Sequence, residues 1–360
     1  MPPVLDLNGD VVDLTRAVCD IESVSGNEGP LADAIEGALR ELAGLEVTRD
    51  GDTVVARTAL DRAERVVLAG HIDTVPLAAE PNLPTWFEGP DLWGRGTCDM
   101  KGGVAVQLRL AADLSARPDD LTRDVTWVFY DGEEVESARN GLGRLSRNRP
   151  DVLDADFAVL LEPSNGTVEG GCNGTLRVEV STHGLTAHSA RAWLGRNAIH
   201  QAAPVLARLS SYQPREVEVE GLVYRESLNA VGIRGGVAGN VIPDLCVVTV
   251  NYRFAPSRSV EEAFGHVCDL FADYDVVLTD AAPGARPGLD QPAAQAFLAV
   301  VGEPPLPKYG WTDVARFAAM GVPALNFGPG DPFLAHKPEE KVEISKILAG
   351  ADILLRWLTR

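Results

Sequence analysis

Residues 65–76 read RVVLAGHIDTVP, a short apolar run that ends in two polar side chains, His71 and Asp73. Three further apolar runs of this kind follow, at residues 125–130, 157–161 and 323–327. Compact apolar runs bounded by polar, Gly or Pro residues are typical of buried strands. The four runs therefore predict a mixed sheet.

Helices are predicted both before and after the first strand in the sequence. Between Asp13 and Leu45 apolar residues recur every three to four positions, which indicates two amphipathic helices. Ser25 and Glu28 have the spacing of a capping box and Pro30 suits a first helical turn, so the second helix is expected to begin there. Further helical stretches at 103–115 and 312–320 complete the alternation of a three-layer α/β domain.

The middle of the chain has a different pattern. Strand, helix, strand, strand, helix and strand are predicted at residues 176–182, 197–212, 224–235, 245–254, 260–273 and 276–279. This order is that of a ferredoxin-like α+β unit. We therefore expect residues 176–281 to form a lid domain, inserted into a discontinuous domain made of residues 1–175 and 282–360.

Composition excludes several classes of partner. The 360 residues include 52 acidic and 32 basic side chains, a formal net charge of −20, which repels nucleic acids and anionic membranes. Five scattered cysteines without a CxxC motif argue against disulfides and against a cysteine zinc site. The sequence has no signal-peptide pattern and no 18-residue apolar run, so we expect a soluble cytoplasmic protein.

Acidic and histidine side chains follow the predicted strands or begin a predicted helix. These residues are His71 and Asp73 in HIDTVP, Asp99 in GTCDMKGG, Glu133 and Glu134 in DGEE, Glu162 in LEPS, and His336 in AHKPEE. The carboxyl ends of strands border the ligand crevice of an open α/β sheet, so these side chains are expected to converge.

Nitrogen and oxygen donors without thiolates suit zinc or a neighbouring divalent metal. A carboxylate can bridge two such ions about 3.5–4 Å apart, and of two adjacent acids one can bind metal while the other moves a proton. His71 or Asp99 alone would be an ordinary turn residue, and Glu133 with Glu134 alone would be a solvated pair in a loop. Their occurrence together favours a metal site. The remaining polar candidates, His183, His200, His266 and Cys98, are interpreted as structural.

The motifs HIDTVP, GRGTCDMKGG, the EE pair, LEPS and AHKPEE have the order and approximate spacing of the M20 family of metallopeptidases and amidohydrolases, which the whole chain resembles. The resemblance implies a catalytic metal-binding domain with two zinc ions, for which cobalt or manganese can substitute. It assigns the metal ligands as His71 and Glu162 on the first ion, Glu134 and His336 on the second, and Asp99 between the two.

Further roles rest on the same resemblance. Glu133 would be the general base, and Asp73 would orient the ring of His71. The peptide bond between Asp99 and Met100 would be cis. His188 in the lid would reach the partner's site and stabilise the oxyanion, which implies a homodimer formed through the lid.

Within the family, AHSARxWLGxNAIH, GGVAGNVIPD, NYRFAP and KYGWTDVARF resemble an actinobacterial branch. Its members hydrolyse N-succinyl-LL-2,6-diaminopimelate to succinate and LL-2,6-diaminopimelate. The substrate would be this small N-acyl amino acid. Its expected contacts are Asn240, Arg253, Gly310 and Thr312. Arg191 would supply a charge, because GGCNGT here replaces the basic residues of the commoner pattern for this activity.

Two alternatives remain open at this point. A related deacylase or carboxypeptidase, such as an acetylornithine deacetylase or an aminoacylase, would share every metal ligand and differ only in the lid pocket. A non-catalytic relative that binds metal or ligand without turnover would be expected to lack a ligand or the base, and Glu133 is present here.

Overall fold

The computed structural model describes residues 4–360 of the chain. The helices are α1 Val11–Asp20, α2 Gly29–Arg40, α3 Lys101–Ser115, α4 Gly141–Asn148, α5 Pro150–Leu153, α6 Ala198–Gln201, α7 Ala203–Ser211, α8 Val260–Leu270, α9 Pro292–Val301, α10 Val314–Ala319 and α11 Ile344–Leu358. The strands are β1 Glu46–Asp50, β2 Thr53–Arg57, β3 Arg65–His71, β4 Trp86–Glu88, β5 Asp91–Trp93, β6 Asp124–Tyr130, β7 Phe157–Leu160, β8 Glu169–Gly170, β9 Gly174–His183, β10 Ala187–His188, β11 Glu216–Val219, β12 Leu222–Arg225, β13 Ser227–Gly235, β14 Val241–Ile242, β15 Leu245–Phe254, β16 Asp275–Ala282, β17 Leu306–Pro307, β18 Ala324–Asn326 and β19 Lys341–Glu343.

The chain divides into two compact units. The first contains the described residues up to Gly170 together with Gly288–Leu306 and Arg316–Arg360; the second contains Gly171–Pro287 and Pro307–Ala315. We expected the inserted domain to comprise residues 176–281. The second unit is larger, since it begins at Gly171 and also includes Pro307–Ala315, which lie beyond the expected return to the first domain. Tertiary hydrogen bonds explain this, since Asn173 donates its N–H to the carbonyl of Lys308 at 3.2 Å.

A mixed eight-stranded sheet lies at the centre of the first unit, in the order β1-β2-β6-β3-β7-β18-β8-β17. The four strands predicted from apolar runs are β3, β6, β7 and β18, and they pair in parallel as β6-β3-β7-β18. Strand β2 pairs with β6 antiparallel, as a mixed sheet requires. The sequence analysis missed β1 and β2, which are five residues each.

Helix α2 begins differently from the prediction. Pro30 lies in its first turn as expected, but Glu28 is the N-cap and makes no side-chain capping bond. The predicted capping box is therefore wrong. Ser25 lies three residues before that N-cap, and it donates its hydroxyl to a carboxylate oxygen of Asp73 at 2.7 Å, a charge-assisted hydrogen bond.

The second unit contains a four-stranded antiparallel sheet in the order β13-β15-β9-β16. Its chain order is β9, helix, β13, β15, helix, β16, which confirms the ferredoxin-like prediction. Alternate residues of β9 and β15, such as Val178 and Val250, form a core with Val205 of α7 and Val267 of α8.

Two predicted elements of this unit are interrupted. The helix predicted at 197–212 is divided into α6 and α7 at Ala202, and Pro204, which has no N–H, lies in the first turn of α7. The strand predicted at 224–235 is divided at Glu226 into β12 and β13. The buried carboxylate of Glu226 accepts hydrogen bonds from Arg215, Tyr252 and Arg258 instead.

Candidate metal site

The predicted site residues of the first unit lie at one edge of its sheet. Strand β3 ends at His71, while Glu133 and Glu134 follow β6 and Glu162 follows β7. The pairs β3–β6 and β3–β7 are parallel, so these strand ends share an edge. Asp99 reaches the same place from the turn before α3.

The carboxylate of Asp99 faces two histidines. Its Oδ1 lies 3.2 Å from Nε2 of His71, and its Oδ2 lies 3.3 Å from Nε2 of His336. Nε2 of His336 also lies 2.9 Å from Oε1 of Glu134. A carboxylate whose two oxygens point at different ligand groups has the arrangement that a bridge between two metal ions requires.

The donor atoms form three overlapping groups that could each hold a metal ion. They are His71, Asp99 and Glu162; Asp99, Glu134 and His336; and His71, Glu133 and Glu134. In each group the donor atoms lie within 4.8 Å of one another. The first two groups share only Asp99, and together they use one nitrogen and two oxygens for each of two ions. This donor set fits zinc and its neighbours among the divalent metals.

Asp73 determines which ring nitrogen of His71 is available to bind a metal ion. Nδ1 of His71 lies 3.0 Å from the backbone oxygen of Asp73, which can only accept, so Nδ1 carries the proton. Nε2, which faces Asp99 at 3.2 Å, is therefore the nitrogen that could bind a metal ion. A ring oriented in this way by its second nitrogen is typical of metal-binding histidines.

The side chain of Asp73 also positions the adjacent acids. Its Oδ1 accepts the N–H of Glu133 and its Oδ2 accepts the N–H of Glu134, both at 3.0 Å. Asp73 is fully buried, and Ser25 adds a third hydrogen bond. One carboxylate thus connects the loop after β3 to the loop after β6.

Electrostatics at the site favour a cation. Burial disfavours the charged form of His71, yet contacts with Asp73 and Asp99 outweigh it and raise the pKa of this imidazole above its usual value. Contacts with Asp99 and Glu134 raise the pKa of His336 to about 10. Burial opposes ionisation of Asp99, but its contacts with His336 and His71 lower its pKa. Carboxylates that hold protons on imidazoles this strongly also attract metal ions.

Two buried residues that sequence reasoning missed support this site. Glu340 accepts the N–H groups of Cys98 and Asp99, both at 3.1 Å, and its other oxygen lies 2.6 Å from Arg95. Its place in AHKPEE, four residues after His336, was the available signal. The peptide bond between Asp99 and Met100 is cis, as expected.

The other predicted contacts all belong to the second unit. His188 is exposed and accepts the N–H of Ala190 through Nδ1 at 3.0 Å. Arg253 on β15 is half-buried. The remaining predicted contacts are Arg191, Asn240 and Gly310, which are exposed, and Thr312, which is buried.

Two of the residues interpreted as structural have side-chain partners in the protein. His183 lies 2.8 Å from Asp275, and His266 lies 3.1 Å from the hydroxyl of Tyr212. His200 is exposed on α6. The cysteines are free thiols, as predicted.

The pattern of peptidase family M20/M25/M40 matches residues 67–360. A Mycobacterium tuberculosis protein with the provisional name succinyl-diaminopimelate desuccinylase DapE is 55% identical over 99% of both chains. Succinyl-diaminopimelate desuccinylase of Corynebacterium glutamicum is 46% identical over 100% of this chain and 99% of its own.

A solved structure shares the fold. The Bacillus subtilis YXEP protein, described as a dinuclear metal-binding peptidase of the M20 family, superposes with a TM-score of 0.71 at 16% identity, covering 97% of this chain and 96% of its own. Within residues 4–360, no helix combines the length and apolarity needed to cross a membrane.

Proposed function

This chain belongs to peptidase family M20/M25/M40, and we propose that it is the family's amidohydrolase for N-succinyl-LL-2,6-diaminopimelate, releasing succinate and LL-2,6-diaminopimelate. The observation that carries the hydrolase assignment is Asp99, whose two oxygens face the two histidines of the site. The substrate follows from the names of the two full-length relatives. The product serves lysine and diaminopimelate biosynthesis.

Two zinc ions are proposed for the site, with cobalt or manganese as substitutes. His71 and Glu162 would hold one ion, Glu134 and His336 the other, and Asp99 would bridge them. When bound, such ions lower the pKa of water and polarise an amide carbonyl. The donor set fits because it offers nitrogen and carboxylate oxygen only, and each proposed triad lies within 4.8 Å.

Glu133 is the proposed general base. It takes the proton of the attacking water and returns it to the departing amine, the role open to a carboxylate that sits beside the ligands without being needed as one. The hydrogen bond from its N–H to Asp73 fixes the start of its side chain. Because Asp73 also orients His71, one residue aligns the base with a ligand.

Arg253 is the proposed anchor for a substrate carboxylate. It lines a cleft of about 500 Å³ in the second unit, together with Asn173, Ser227 and Tyr309. Its Nε donates to Asn251, and among residues 4–360 no carboxylate lies within ion-pair distance of it. Burial and the neighbouring Arg177 lower its pKa, which a substrate carboxylate would reverse. Asn240, Gly310, Thr312 and Arg191 are the other proposed contacts.

A homodimer through the second unit is also proposed. Strand β13 is an edge strand of its sheet, and Val231 and Ile233 on it are 60% and 54% exposed. Trp193 is 78% exposed. Exposed apolar edge strands are sites of strand pairing between chains. In such a dimer, His188 would serve the partner's site by donating a hydrogen bond to the oxyanion.

The test is release of free amine from N-succinyl-LL-2,6-diaminopimelate, measured with ninhydrin on metal-free protein and after addition of zinc. N-acetylornithine is the comparison substrate. Turnover of the succinyl compound alone, restored by zinc, would support the proposal. Two bound ions with turnover of the acetyl compound instead would move the protein to another deacylase of the family.

A further inference from the structure

Glu340 is a carboxylate buried beside the candidate metal site, and its side-chain oxygens accept hydrogen bonds from backbone N–H groups and from Arg95. Its side chain is 1% exposed. Oε1 accepts two successive backbone N–H groups, those of Cys98 and Asp99, at 3.1 Å each. Oε2 lies 2.6 Å from a guanidinium nitrogen of Arg95.

Arg95 extends this contact to the loop that carries His336. The same guanidinium nitrogen donates to the carbonyl of Lys337 at 3.3 Å, and Arg95 is itself 4% exposed. The N–H of Gly94 donates to the carbonyl of Glu340 at 3.0 Å. Residues 94–99 and 337–340 are therefore connected through both side chains and backbone.

The loop between β18 and β19, which carries His336, also lies very close to the backbone of the segment that carries Asp99. A Cβ on Gly330 would lie 2.5 Å from the carbonyl oxygen of Cys98. His336 has a positive φ of 66°, a conformation that residues with a Cβ rarely adopt. A histidine held in this conformation needs surrounding contacts that fix its loop.

Asp99 and His336 are the residues carried by these loops, and Oδ2 of Asp99 lies 3.3 Å from Nε2 of His336. We propose that Glu340, held by Arg95, is a positioning residue that sets the separation of Asp99 and His336 and thereby the affinity of the second metal ion. This inference rests on the proposed function, because it assumes the metal site. It adds two residues, Glu340 and Arg95, that would act through the backbone of the loops carrying Asp99 and His336.

A role in folding alone is the competing explanation, and charge argues against it. An apolar pair of similar volume would fill a core at no desolvation cost, whereas Glu340 places a buried charge close to Asp99. A carboxylate is required here because it can accept two adjacent N–H groups and a guanidinium at once. Those N–H groups belong to the segment that orients the bridging carboxylate.

Glu340→Gln is the sharpest variant, because it keeps the shape of the side chain. Whichever way the amide is turned, its NH₂ faces either the two N–H groups or Arg95, so one donor meets another. We expect the zinc dissociation constant of the second ion, the one held by Asp99, Glu134 and His336, to rise about 10- to 100-fold, as for other residues that support metal ligands. The measurement is competition with a chromogenic chelator on the full chain.

Asp124→Asn is the matched control. Asp124 is also buried in the first unit and also accepts two backbone N–H groups, those of Leu60 and Arg62. It lies at the start of β6, the opposite end of that strand from the site. Its loss should lower stability and leave both zinc dissociation constants within about twofold, since no ligand depends on it.

Arg95→Lys is the second variant, for the case that Glu340→Gln does not fold. It keeps the positive charge, but its ammonium lies one bond nearer the backbone than the guanidinium nitrogen that contacts both Glu340 and the carbonyl of Lys337. The second ion, held by Asp99, Glu134 and His336, should therefore again be bound more weakly, by about threefold or more. Unchanged zinc binding in both folded variants would overturn the inference while leaving the proposed function intact. A wild-type protein that binds no zinc would overturn both.

Discussion

The hydroxyl of Ser25 donates a hydrogen bond to Oδ2 of Asp73 at 2.7 Å, across 48 positions of sequence. Burial opposes ionisation of Asp73, but its contact with His71 and then the hydrogen bond from Ser25 lower its pKa below the usual value. Asp73 can then remain ionised while it orients His71 and accepts the N–H groups of Glu133 and Glu134.

Asp73→Asn should weaken zinc binding about 10- to 100-fold, because the amide cannot accept from both N–H groups with the strength of a carboxylate. Chelator competition on purified protein measures this loss. Asp156→Asn is the control, since Asp156 accepts a backbone N–H from Arg65 at the opposite edge of the sheet. If the wild type, Asp73→Asn and Asp156→Asn bound zinc with equal affinity, the role given to Asp73 would be contradicted.

Glu133→Gln should lower kcat at least about 100-fold and leave two zinc ions bound, because the amide cannot take a proton from water. Activity and metal content are measured on the same sample. The matched control is Glu136→Gln, the same change at an exposed position of the same loop, which should stay within about twofold. Loss of metal from Glu133→Gln would identify Glu133 as a ligand rather than the base.

Arg253→Ala should lower kcat/KM for the succinyl substrate about ten- to a hundredfold, the effect of losing a charged hydrogen bond. Steady-state kinetics tests this, with Arg208→Ala as control because Arg208 pairs with Asp273 on the same unit.

The contact proposed for Arg191 is tested in parallel: an Arg191→Ala effect below about threefold on kcat/KM would remove Arg191 from the substrate contacts.

Ile233→Lys on β13 should convert a dimer to monomers and reduce activity, because a charge blocks pairing of edge strands and His188 would be lost to the partner's site. Light scattering after gel filtration gives the mass. The control is Val277→Lys on β16, the other edge strand of the same sheet. The side chain of Val277 is 57% exposed in the wild-type chain, so the substitution buries no charge there. A monomeric wild-type protein with full activity would refute the dimer proposal.

Asp124 provides a test of pH dependence away from the site. Burial opposes its ionisation, but hydrogen bonds from Thr58, Leu60 and Arg62 lower its pKa below the usual value. Its contribution to stability is therefore present above about pH 4, the range of an unfolded aspartate, and is lost as pH falls through the folded value.

Asp124→Asn should accordingly lower the free energy of unfolding by about 1–3 kcal/mol at neutral pH. The difference from wild type should shrink below about pH 4. Urea unfolding of the metal-free proteins at a series of pH values measures it. A difference that stays constant across the series would show that the carboxylate's charge is not what stabilises the fold.

Local pattern was sufficient for much of the fold. Each buried parallel strand of the first unit is a compact apolar run, and the second unit repeats the order of a ferredoxin-like fold, so periodicity alone predicted both. Glu133, Glu134 and Glu162 were identified because they follow such strands directly. Parallel strands bring their carboxyl ends to one edge, and that rule needs no knowledge of side-chain contacts.

Local pattern failed where a side chain's partner is far away in sequence. Ser25 has the spacing of a capping residue but bonds to Asp73. Glu226 lies between β12, which pairs with β11, and β13, which pairs with β15, and its carboxylate binds Arg215 and Arg258. Glu340 lies 241 positions from Asp99, and only folding brings its oxygen to that N–H.

The difference between what local sequence predicts and what it does not has a physical cause. Apolar periodicity is a property of neighbouring residues, so the strands, the helices and the types of donor were already present in the chain. Hydrogen bonds and charge pairs are directional and short-ranged, so the atoms they join are decided by tertiary packing. The orientation of Asp99 between His71 and His336 belongs to the second class, and it is what makes a set of acids and histidines a metal site.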